Sequence, residues 1–284
     1  MTSIKKIIAL ILCAITVVLC FAGCSKAEEA AEITDETMLI AYTEEKAPFI
    51  YTENGNLTGF DVEIFKGIFN DIKNEYKNYE FVKVDEGYKV GEDPAYIDAE
   101  GKEYIAYVMI GGVQTNTGTF NKDFTFSESV IDNRIITVTA SGSKIATYAD
   151  MAGAKAGVVT DQAKAALDKN ASIKASCKSV KEYADVNTAL ADLDAGKIDA
   201  VVVDEFSFMV LENKDSYAIL NGELDTINYV YAFKKNDWYV ESINEAIYQL
   251  KSPNYNDADN FTPLVEKYFK YNASNFNFVP DEKK

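Results

Sequence analysis

Residues Ile40 to Phe69 read IAYTEEKAPFIYTENGNLTGFDVEIFKGIF, and the rest of the chain is organised around them. Their pattern predicts an apolar strand that enters a proline-containing loop, a hairpin turn at Asn54-Gly55 and a helix that begins near Asp61. Asn-Gly supplies the two positive-φ positions of a type I′ turn. Beyond the turn, apolar residues recur at helical spacing and give the helix one buried face: Val62, Phe65, Ile68, Phe69 and Ile72.

Taken in order, these pieces resemble the opening of the family 3 extracellular solute-binding proteins, the receptors for polar amino acids in ABC-type importers. The matching residues are Pro48-Phe49, Asn54-Gly55 and Gly59-Phe60-Asp61-Val62. A second match is ADLDAGKIDAVVVDE, residues Ala191 to Glu205, where the family has a helix, a Gly-Lys turn and a short buried strand. The resemblance implies two α/β lobes that close over a small polar solute.

The composition narrows the classes of function. Acidic residues outnumber basic ones by 45 to 28, which argues against nucleic acid as a partner. Histidine is absent, so the commonest general acid or base and the commonest metal ligand are missing. No phosphate-binding glycine loop and no metal-spaced Cys/His set occurs in the sequence. We therefore expect a binding protein without a cofactor, and not an enzyme.

The N-terminus predicts export. Lys5 and Lys6 precede an apolar run that is too short for a membrane span, and the run ends in small residues before Cys24. Phe21-Ala22-Gly23-Cys24 resembles a bacterial lipoprotein box, in which the cysteine becomes the lipid anchor; an ordinary cleaved signal is the alternative. We expect a signal peptide at 1–23 and a solvated tether at 24–37. Only Cys177 then remains apart from the anchor, so no disulfide forms within the mature chain.

Strands and helices alternate beyond the opening stretch, as in a doubly wound sheet. We place strands at Ile173 to Cys177 and Asp199 to Asp204, and we find no clear periodicity at Asp85 to Lys102, where the family has a helix. The resemblance implies a periplasmic-binding-protein type II fold of class α/β. Each lobe is then a doubly wound, mostly parallel sheet, and two hinge strands join them. The expected bounds are 38–134 and 230–284 for lobe 1, and 135–229 for lobe 2.

The resemblance also places the binding residues. A receptor for a free amino acid neutralises a carboxylate, for which an arginine is suited, and an ammonium group, for which an acid is suited. The family's acid closes the strand that Asp204 closes here, so we assign the ammonium to Asp204; its alternative is to cap the helix that begins near Phe206. The family's Thr-x-x-Arg reads Thr117-Gly118-Thr119-Phe120 here, so the arginine is missing.

Other positions of the expected site have also changed. The position where many relatives have a stacking ring is Lys46, and the second-lobe loop reads Thr160-Asp161-Gln162. An insertion between Gly112 and Thr115 leaves the alignment of the carboxylate loop uncertain by one residue, and Thr115 belongs to the expected site. The aromatic residues expected to face the cleft are Phe49, Tyr51 and Phe120.

Two explanations of these changes compete. In the first, Lys46 replaces the arginine as a point charge, and the solute remains a zwitterion. In the second, the solute lacks an α-carboxylate, and Asp161 with Asp204 makes a cleft suited to a cationic or polyhydroxylated solute. Alternatively, Lys46 points to solvent, as long charged side chains usually do.

These features together predict a monomeric, lipid-anchored, extracytoplasmic component of an ABC importer that delivers a small polar solute to a membrane permease. Two other classes remain open. Some proteins of this fold resemble lyases acting on small cyclic acids, which here would need Glu44 or Glu45 as the acid or base. Others resemble extracellular sensors, although no further domain follows the lobes up to Lys284.

Overall fold

The computed structural model describes residues 33–72, 76–115, 124–253 and 259–270. Its strands are Thr37–Tyr42 (β1), Tyr51–Glu53 (β2), Asn56–Thr58 (β3), Asn78–Lys83 (β4), Pro94–Ile97 (β5), Glu103–Ile105 (β6), Val108–Gln114 (β7), Phe124–Phe126 (β8), Ile131–Ala140 (β9), Lys155–Val158 (β10), Ser179–Glu182 (β11), Ala200–Asp204 (β12), Tyr217–Ile219 (β13) and Asp225–Lys234 (β14). Its α-helices are Phe60–Ile72 (α1), Asp161–Lys169 (α2), Ala171–Ser176 (α3), Val186–Asp194 (α4), Glu205–Met209 (α5), Tyr239–Lys251 (α6) and Thr262–Phe269 (α7), and Tyr148–Met151 and Lys214–Ser216 are 3-10 helices.

The opening stretch folds as its sequence predicts. Strand β1 is buried along its whole length, and β2 pairs with β3 across the turn, where Asn54 and Gly55 have φ of 52° and 80°. Helix α1 then buries an apolar face that includes Val62, Phe65 and Ile68. The loop before the hairpin closes on itself, because the backbone N–H of Lys46 donates to the carbonyl of Ile50 at 2.6 Å.

One long sheet passes through both lobes. Its strands lie in the order β11-β10-β12-β9-β14-β7-β1-β4, while β13 also pairs with β9 and β8 with β14. Strands β4, β1 and β7 run parallel on one side, and β11, β10 and β12 run parallel on the other. We call the half with β4, β1 and β7 lobe 1, together with α1, α6 and α7, and the half with β10 to β12 lobe 2, together with α2 to α5. The two-lobed, mostly parallel α/β architecture is therefore confirmed.

Two long antiparallel strands join the lobes. The first half of β9 pairs with the first half of β14, from Ile131 opposite Tyr229 to Ile135 opposite Asp225. The second half of β9 then pairs with β12 in lobe 2, and the second half of β14 pairs with β7 in lobe 1. Each strand is therefore shared between the lobes, as expected of hinge strands, and the 134/135 and 229/230 boundaries drawn from the sequence fall inside them.

One local prediction differs from the structure, and one stretch left unassigned is now placed. Residues 173–177 were expected to form a strand, but Ala171–Ser176 is helix α3, and the strand that pairs with β10 comes later, at Ser179–Glu182. This helix begins directly after α2, and its Asn170 side chain donates to the carbonyls of Ala166 and Leu224 at 2.9 Å each. The stretch after β4, where the family has a helix, forms the antiparallel hairpin β5–β6. In segments as short as these, the spacing of apolar residues does not distinguish a helix from a strand.

The predicted signal peptide, most of the predicted tether and Cys24 lie outside the described residues. Among the helices that the structure describes, none combines the length and the apolar character needed to cross a membrane.

Candidate functional site

The strand register brings the carboxyl ends of β7 in lobe 1 and β12 in lobe 2 together at the hinge. Gln114, which ends β7 in lobe 1, lies opposite Tyr229, and Asp204, which ends β12 in lobe 2, lies opposite Ile135. Ile135 and Tyr229 belong to the segment in which the two hinge strands pair with each other. Ligands of open α/β sheets bind in the crevice outside the carboxyl ends of the strands. The candidate site is therefore the cleft at this crossing.

Asp204 is the buried acid of lobe 2 at this crossing. Its side chain is 7% exposed, and its Oδ1 accepts hydrogen bonds from the backbone N–H of Ser207 at 3.0 Å and from Asn133 Nδ2 at 3.1 Å. The capping role considered from the sequence is thus present. Its other oxygen, Oδ2, accepts no hydrogen bond from any described residue. Oδ2 is not among the fully buried side-chain atoms of the described residues that lack a hydrogen-bond partner, so it remains open to solvent and to a bound cation.

Tyr229 connects the acids of the two lobes. Burial, together with the charges of Asp204 and Asp61, raises the pKa of its hydroxyl to about 12, against the lowering effects of Asn133 and Gln114. Gln114 Nε2 lies 3.3 Å from the Tyr229 hydroxyl. Tyr229 therefore lies within the electrostatic reach of both Asp204 in lobe 2 and Asp61 in lobe 1, and it forms part of the floor of the cleft.

Asp61 supports strand β7 of lobe 1 beside this floor. The carboxylate is 3% exposed, and its Oδ2 accepts hydrogen bonds from the backbone N–H groups of Gly111 and Gly112, both at 2.9 Å. Burial raises the pKa of Asp61 from 3.8 to about 6, against the lowering effects of these two N–H groups, of the Tyr231 hydroxyl and of the Lys46 charge. The sequence indicates Asp61 only as part of a family match. Its hydrogen bonds to Gly111 and Gly112 were not predicted, because nothing local indicates partners 50 and 51 residues away.

The raised pKa of Asp61 predicts a pH dependence of stability. The folded chain binds this proton more tightly than the unfolded chain, so the stabilisation is complete below about pH 4 and is lost as the pH rises to about 6. Within that window the free energy of unfolding should fall by up to about 1.4 kcal/mol per pH unit on account of Asp61 alone. Urea titrations of the wild type and Asp61→Asn from pH 4 to 7 measure the difference in slope. Equal slopes would contradict this assignment, because the other carboxylates are common to both chains.

Lys46 lies on the lobe 1 side of the same region. Its side chain is half-buried, and it makes no hydrogen bond or ion pair with any described residue. Its charge nevertheless lowers the pKa of the buried Asp61, which places the ammonium group within electrostatic reach of the cleft floor.

The single arginine of the sequence, Arg134, is held by another acid. Its Nε donates to Glu205 Oε2 at 2.8 Å, and Glu205 is 2% exposed. Arg134 also lies 4.0 Å from Glu223. A bidentate arginine–carboxylate pair with a buried partner is a strong, geometrically fixed interaction. Arg134 is thus committed to lobe 2 and does not replace the arginine that the family has in lobe 1.

The other predicted residues are placed as follows. Thr160 caps α2 through a hydrogen bond from the N–H of Ala163 at 3.1 Å, whereas Asp161 and Gln162 are exposed in the first turn of that helix. Thr115 is half-buried next to Gln114, and Thr117 and Phe120 lie outside the described residues.

Phe49 was expected to present its ring to the solute, but it is 3% exposed and its ring packs 4.4 Å from that of Tyr229. It therefore supports the floor of the cleft from beneath.

A surface cavity of about 460 Å³ lies away from the cleft, between α1 and α6. It is lined by Asp71, Ile72, Tyr239, Glu241, Ser242, Glu245, Ala246 and Gln249. None of the predicted binding residues borders this cavity, so it is not part of the candidate site.

Known proteins similar to this chain include binding proteins for amino acids. No family model matches the chain. A probable amino-acid-binding protein of Bacillus subtilis, YxeM, is 24% identical over 275 residues, which are 93% of this chain and 95% of that protein. The second substrate-binding domain of a putative amino acid ABC transporter from Streptococcus pneumoniae has a TM-score of 0.57 at 25% identity, over 82% of this chain and 99% of that one.

The L-cystine solute receptor of Neisseria gonorrhoeae, in its unliganded open conformation, has a TM-score of 0.64 at 20% identity, over 84% of this chain and 94% of the receptor. At that identity the likeness concerns the fold. The resemblance predicted from the sequence is confirmed at this level: the curated relative is an amino-acid-binding protein, and the structural neighbours are substrate-binding proteins of amino acid ABC transporters.

Proposed function

We propose that this chain is the solute-binding component of an ABC importer and that it holds a small zwitterion, an amino acid or an amino-acid-like compound, between its two lobes. One observation carries the proposal: the buried carboxylate of Asp204, at the closing edge of lobe 2, has an oxygen that no described residue uses. The relatives named above are binding proteins of this class, which supports the assignment.

The ammonium end of the solute would bind Asp204. The protein already orients Oδ1 through Asn133 and Ser207, so the carboxylate is held in place before the solute arrives. A charge-assisted hydrogen bond from an ammonium group to Oδ2 gains strength in a closed cleft of low dielectric constant. Asp204 therefore acts at once as a helix cap and as the charge partner of the solute.

The carboxylate end would bind Lys46. Of the two explanations left open by the sequence, we infer the one in which this lysine replaces the missing arginine, since its side chain pairs with no described residue and its charge acts on the buried Asp61. A lysine provides a point charge with three rotatable donors, whereas an arginine provides a planar fork. We therefore expect weaker geometric selection of the carboxylate. Thr115, Thr160, Asp161 and Gln162 are proposed to line the cleft around the solute. Thr117 and Phe120 are proposed as binding residues from the sequence alone.

An enzymatic function is less well supported. The lyase alternative needs an accessible carboxyl group with a raised pKa inside the cleft, and the sequence suggested Glu44 or Glu45. Asp61 has a raised pKa, but it is 3% exposed and its Oδ2 is used by two backbone N–H groups of β7. Glu44 and Glu45 are both exposed, and Glu45 accepts hydrogen bonds from the backbone N–H and the hydroxyl of Thr52, at 2.7 and 3.0 Å. These contacts support a structural role for Glu45 at the base of the β2–β3 hairpin.

The cellular setting follows from the N-terminal residues. We infer an extracytoplasmic protein attached to the membrane through lipidated Cys24, with a tether that lets a monomeric body reach its permease. The predicted tether of residues 24–37 ends earlier than expected, because Thr37 is buried and begins β1. Lobe closure requires no cofactor, since a solute that contacts both lobes shifts the hinge equilibrium towards the closed form.

A thermal-shift screen of the chain from residue 25 tests the proposal. The library contains amino acids, polyamines, small peptides, sugars and cyclic acids. A solute that binds only the folded chain stabilises it by about 2.7 kcal/mol at a hundredfold excess over its dissociation constant. A shift with an amino acid supports the proposal. Shifts confined to sugars or to amines without a carboxylate would contradict the zwitterion and favour the Asp161–Asp204 explanation.

Changing Lys46 tests the carboxylate partner. We expect Lys46→Met to weaken binding of the amino acid found in the screen by about tenfold, the loss of roughly one charged hydrogen bond. Lys46→Arg should preserve binding, because the charge remains. Isothermal titration of both variants measures their dissociation constants for the amino acid and for its carboxamide. The assignment is wrong if Lys46→Met binds the two compounds with the same ratio of affinities as the wild type.

A further inference from the structure

Phe206 carries aromatic contacts from lobe 2 across to lobe 1. It lies in α5, two residues after Asp204. Its ring stacks on the hinge residue Tyr229, with centroids 6.0 Å apart and planes 16° apart, and lies 4.3 Å from the ring of Phe269 at the end of α7 in lobe 1. Phe269 in turn packs on Phe49 at 5.7 Å and on Phe60 at 5.0 Å. A ring of lobe 2 therefore contacts the aromatic core of lobe 1 directly.

The backbone of Phe206 is fixed from the same crossing. Its N–H donates to Asn133 Oδ1 at 3.1 Å, while the Nδ2 of that asparagine donates to Asp204. Asn133 lies in hinge strand β9 and is 3% exposed, so the amide is well placed to hold both residues. The Phe206 ring, the Asp204 carboxylate and the hinge are consequently coupled through one buried side chain.

Phe206 is more exposed than the two rings that it contacts. Tyr229 and Phe269 are 7% and 1% exposed, whereas Phe206 is only half-buried. Tyr229 belongs to the hinge, and Phe269 is embedded among the buried rings of lobe 1. Both partners of Phe206 therefore lie outside lobe 2 and would not move with it. Rotation of lobe 2 about the hinge would therefore separate Phe206 from Phe269 and expose apolar surface to water.

We propose that Phe206 is a positioning residue that holds the two lobes partly closed before any solute binds. Each offset or tilted aromatic pair stabilises the state in which it forms by about twofold to tenfold in population. Two such pairs are enough to change the balance of open and closed forms, which differ in free energy by only a few kcal/mol in proteins of two conformations. The ring therefore sets how much of the solute's binding energy is needed for closure.

The distance between the outermost strands reports lobe closure without any solute. Lys83 ends β4 and Glu182 ends β11, the two strands at opposite margins of the sheet, and both side chains are exposed. Spin labels are placed at Lys83→Cys and Glu182→Cys in a Cys177→Ser background, and the distance is measured by pulsed electron resonance. We expect Phe206→Ala to shift the solute-free distribution to longer distances, and Phe206→Leu to shift it less, because leucine retains part of the contact.

A matched control is Tyr217→Ala. Tyr217 is also half-buried, but its ring pairs with Phe208 at 6.2 Å within lobe 2, so its loss should leave the distance unchanged. If Phe206→Ala does not fold, Phe206→Leu alone must lengthen the distance for the proposal to stand. Unchanged distances in the folded Phe206 variants would overturn it.

The effect on affinity rests on the proposed function, whereas the distance measurement does not. A smaller closed fraction in the solute-free chain raises the apparent dissociation constant of every solute by the same factor. Phe206→Ala is thus expected to weaken the binding of all amino acids equally, by about twofold to tenfold for each ring pair that is lost. Weakening that depends on the solute's side chain would mean that Phe206 touches the solute and is not a positioning residue.

Discussion

Replacing Asp204 with asparagine is expected to abolish detectable solute binding while the chain remains folded. Asparagine is as good a helix cap as aspartate, and its Oδ1 can still accept the hydrogen bonds from Ser207 and Asn133. The substitution therefore removes the negative charge and little else. Loss of one partner from a buried, hydrogen-bonded charge pair costs about 2–5 kcal/mol, so the dissociation constant should rise by roughly a hundredfold or more.

Isothermal titration with the solute identified by thermal shift measures this change, and circular dichroism verifies the fold. The control is Asp215→Asn, since Asp215 is an exposed aspartate in the same lobe and should bind as the wild type does. If Asp204→Asn retained its affinity, Asp204 would be a helix cap only. The site would then have to be sought at Asp161 or elsewhere in the cleft.

Replacing Gly59 with alanine is expected to destabilise the chain strongly through backbone strain and steric overlap. Gly59 has a φ of 133°, which L residues rarely adopt, and an added Cβ would lie 2.2 Å from the carbonyl oxygen of Phe49. That oxygen accepts the N–H of Asp61 at 2.9 Å, so it cannot move away without breaking the start of α1. Backbone strain and overlap together should cost about 4 kcal/mol, which is a large part of the stability of a typical domain.

Gly55→Ala separates the two contributions. Gly55 also has a positive φ, 80°, but an added Cβ would meet nothing within 4 Å. Only the backbone term remains there, about 1–2 kcal/mol. Urea unfolding of both variants should thus show a clearly larger loss for Gly59→Ala. Similar losses would indicate that the loop at Phe49 relaxes to accept the methyl group.

Gly59→Ala and Asp204→Asn test different properties, stability and solute affinity. Gly59→Ala acts on the junction of loop, hairpin and helix and should lower stability whatever the chain binds. Asp204→Asn acts on the charge in the cleft and should lower affinity at unchanged stability. A result in which both effects appear in both variants would mean that the cleft and the opening stretch unfold together.

Much of this architecture could be predicted from local patterns. The Asn54-Gly55 turn, the amphipathic face of α1 and the strand that Asp204 ends depend on neighbours in the chain, and these predictions agree with the structure. Turn chemistry and hydrophobic periodicity are short-range, so they are legible in one sequence. Where the period was short, as at Ile173 to Cys177, the prediction was wrong, since six residues do not distinguish a strand from a short helix.

The sequence by itself determined the α/β class, the order of the elements and the positions at which charged groups had replaced those of the family, Lys46 among them. Only the tertiary structure decided what those groups meet. Asp61 finds Gly111 and Gly112 at a separation of 50 residues, and Asn133 finds Asp204 at a separation of 71. The hinge register and the packing of Phe206 on Phe269 are likewise contacts between distant segments. Such contacts depend on how whole elements pack and on which groups are removed from water, and no local periodicity encodes them.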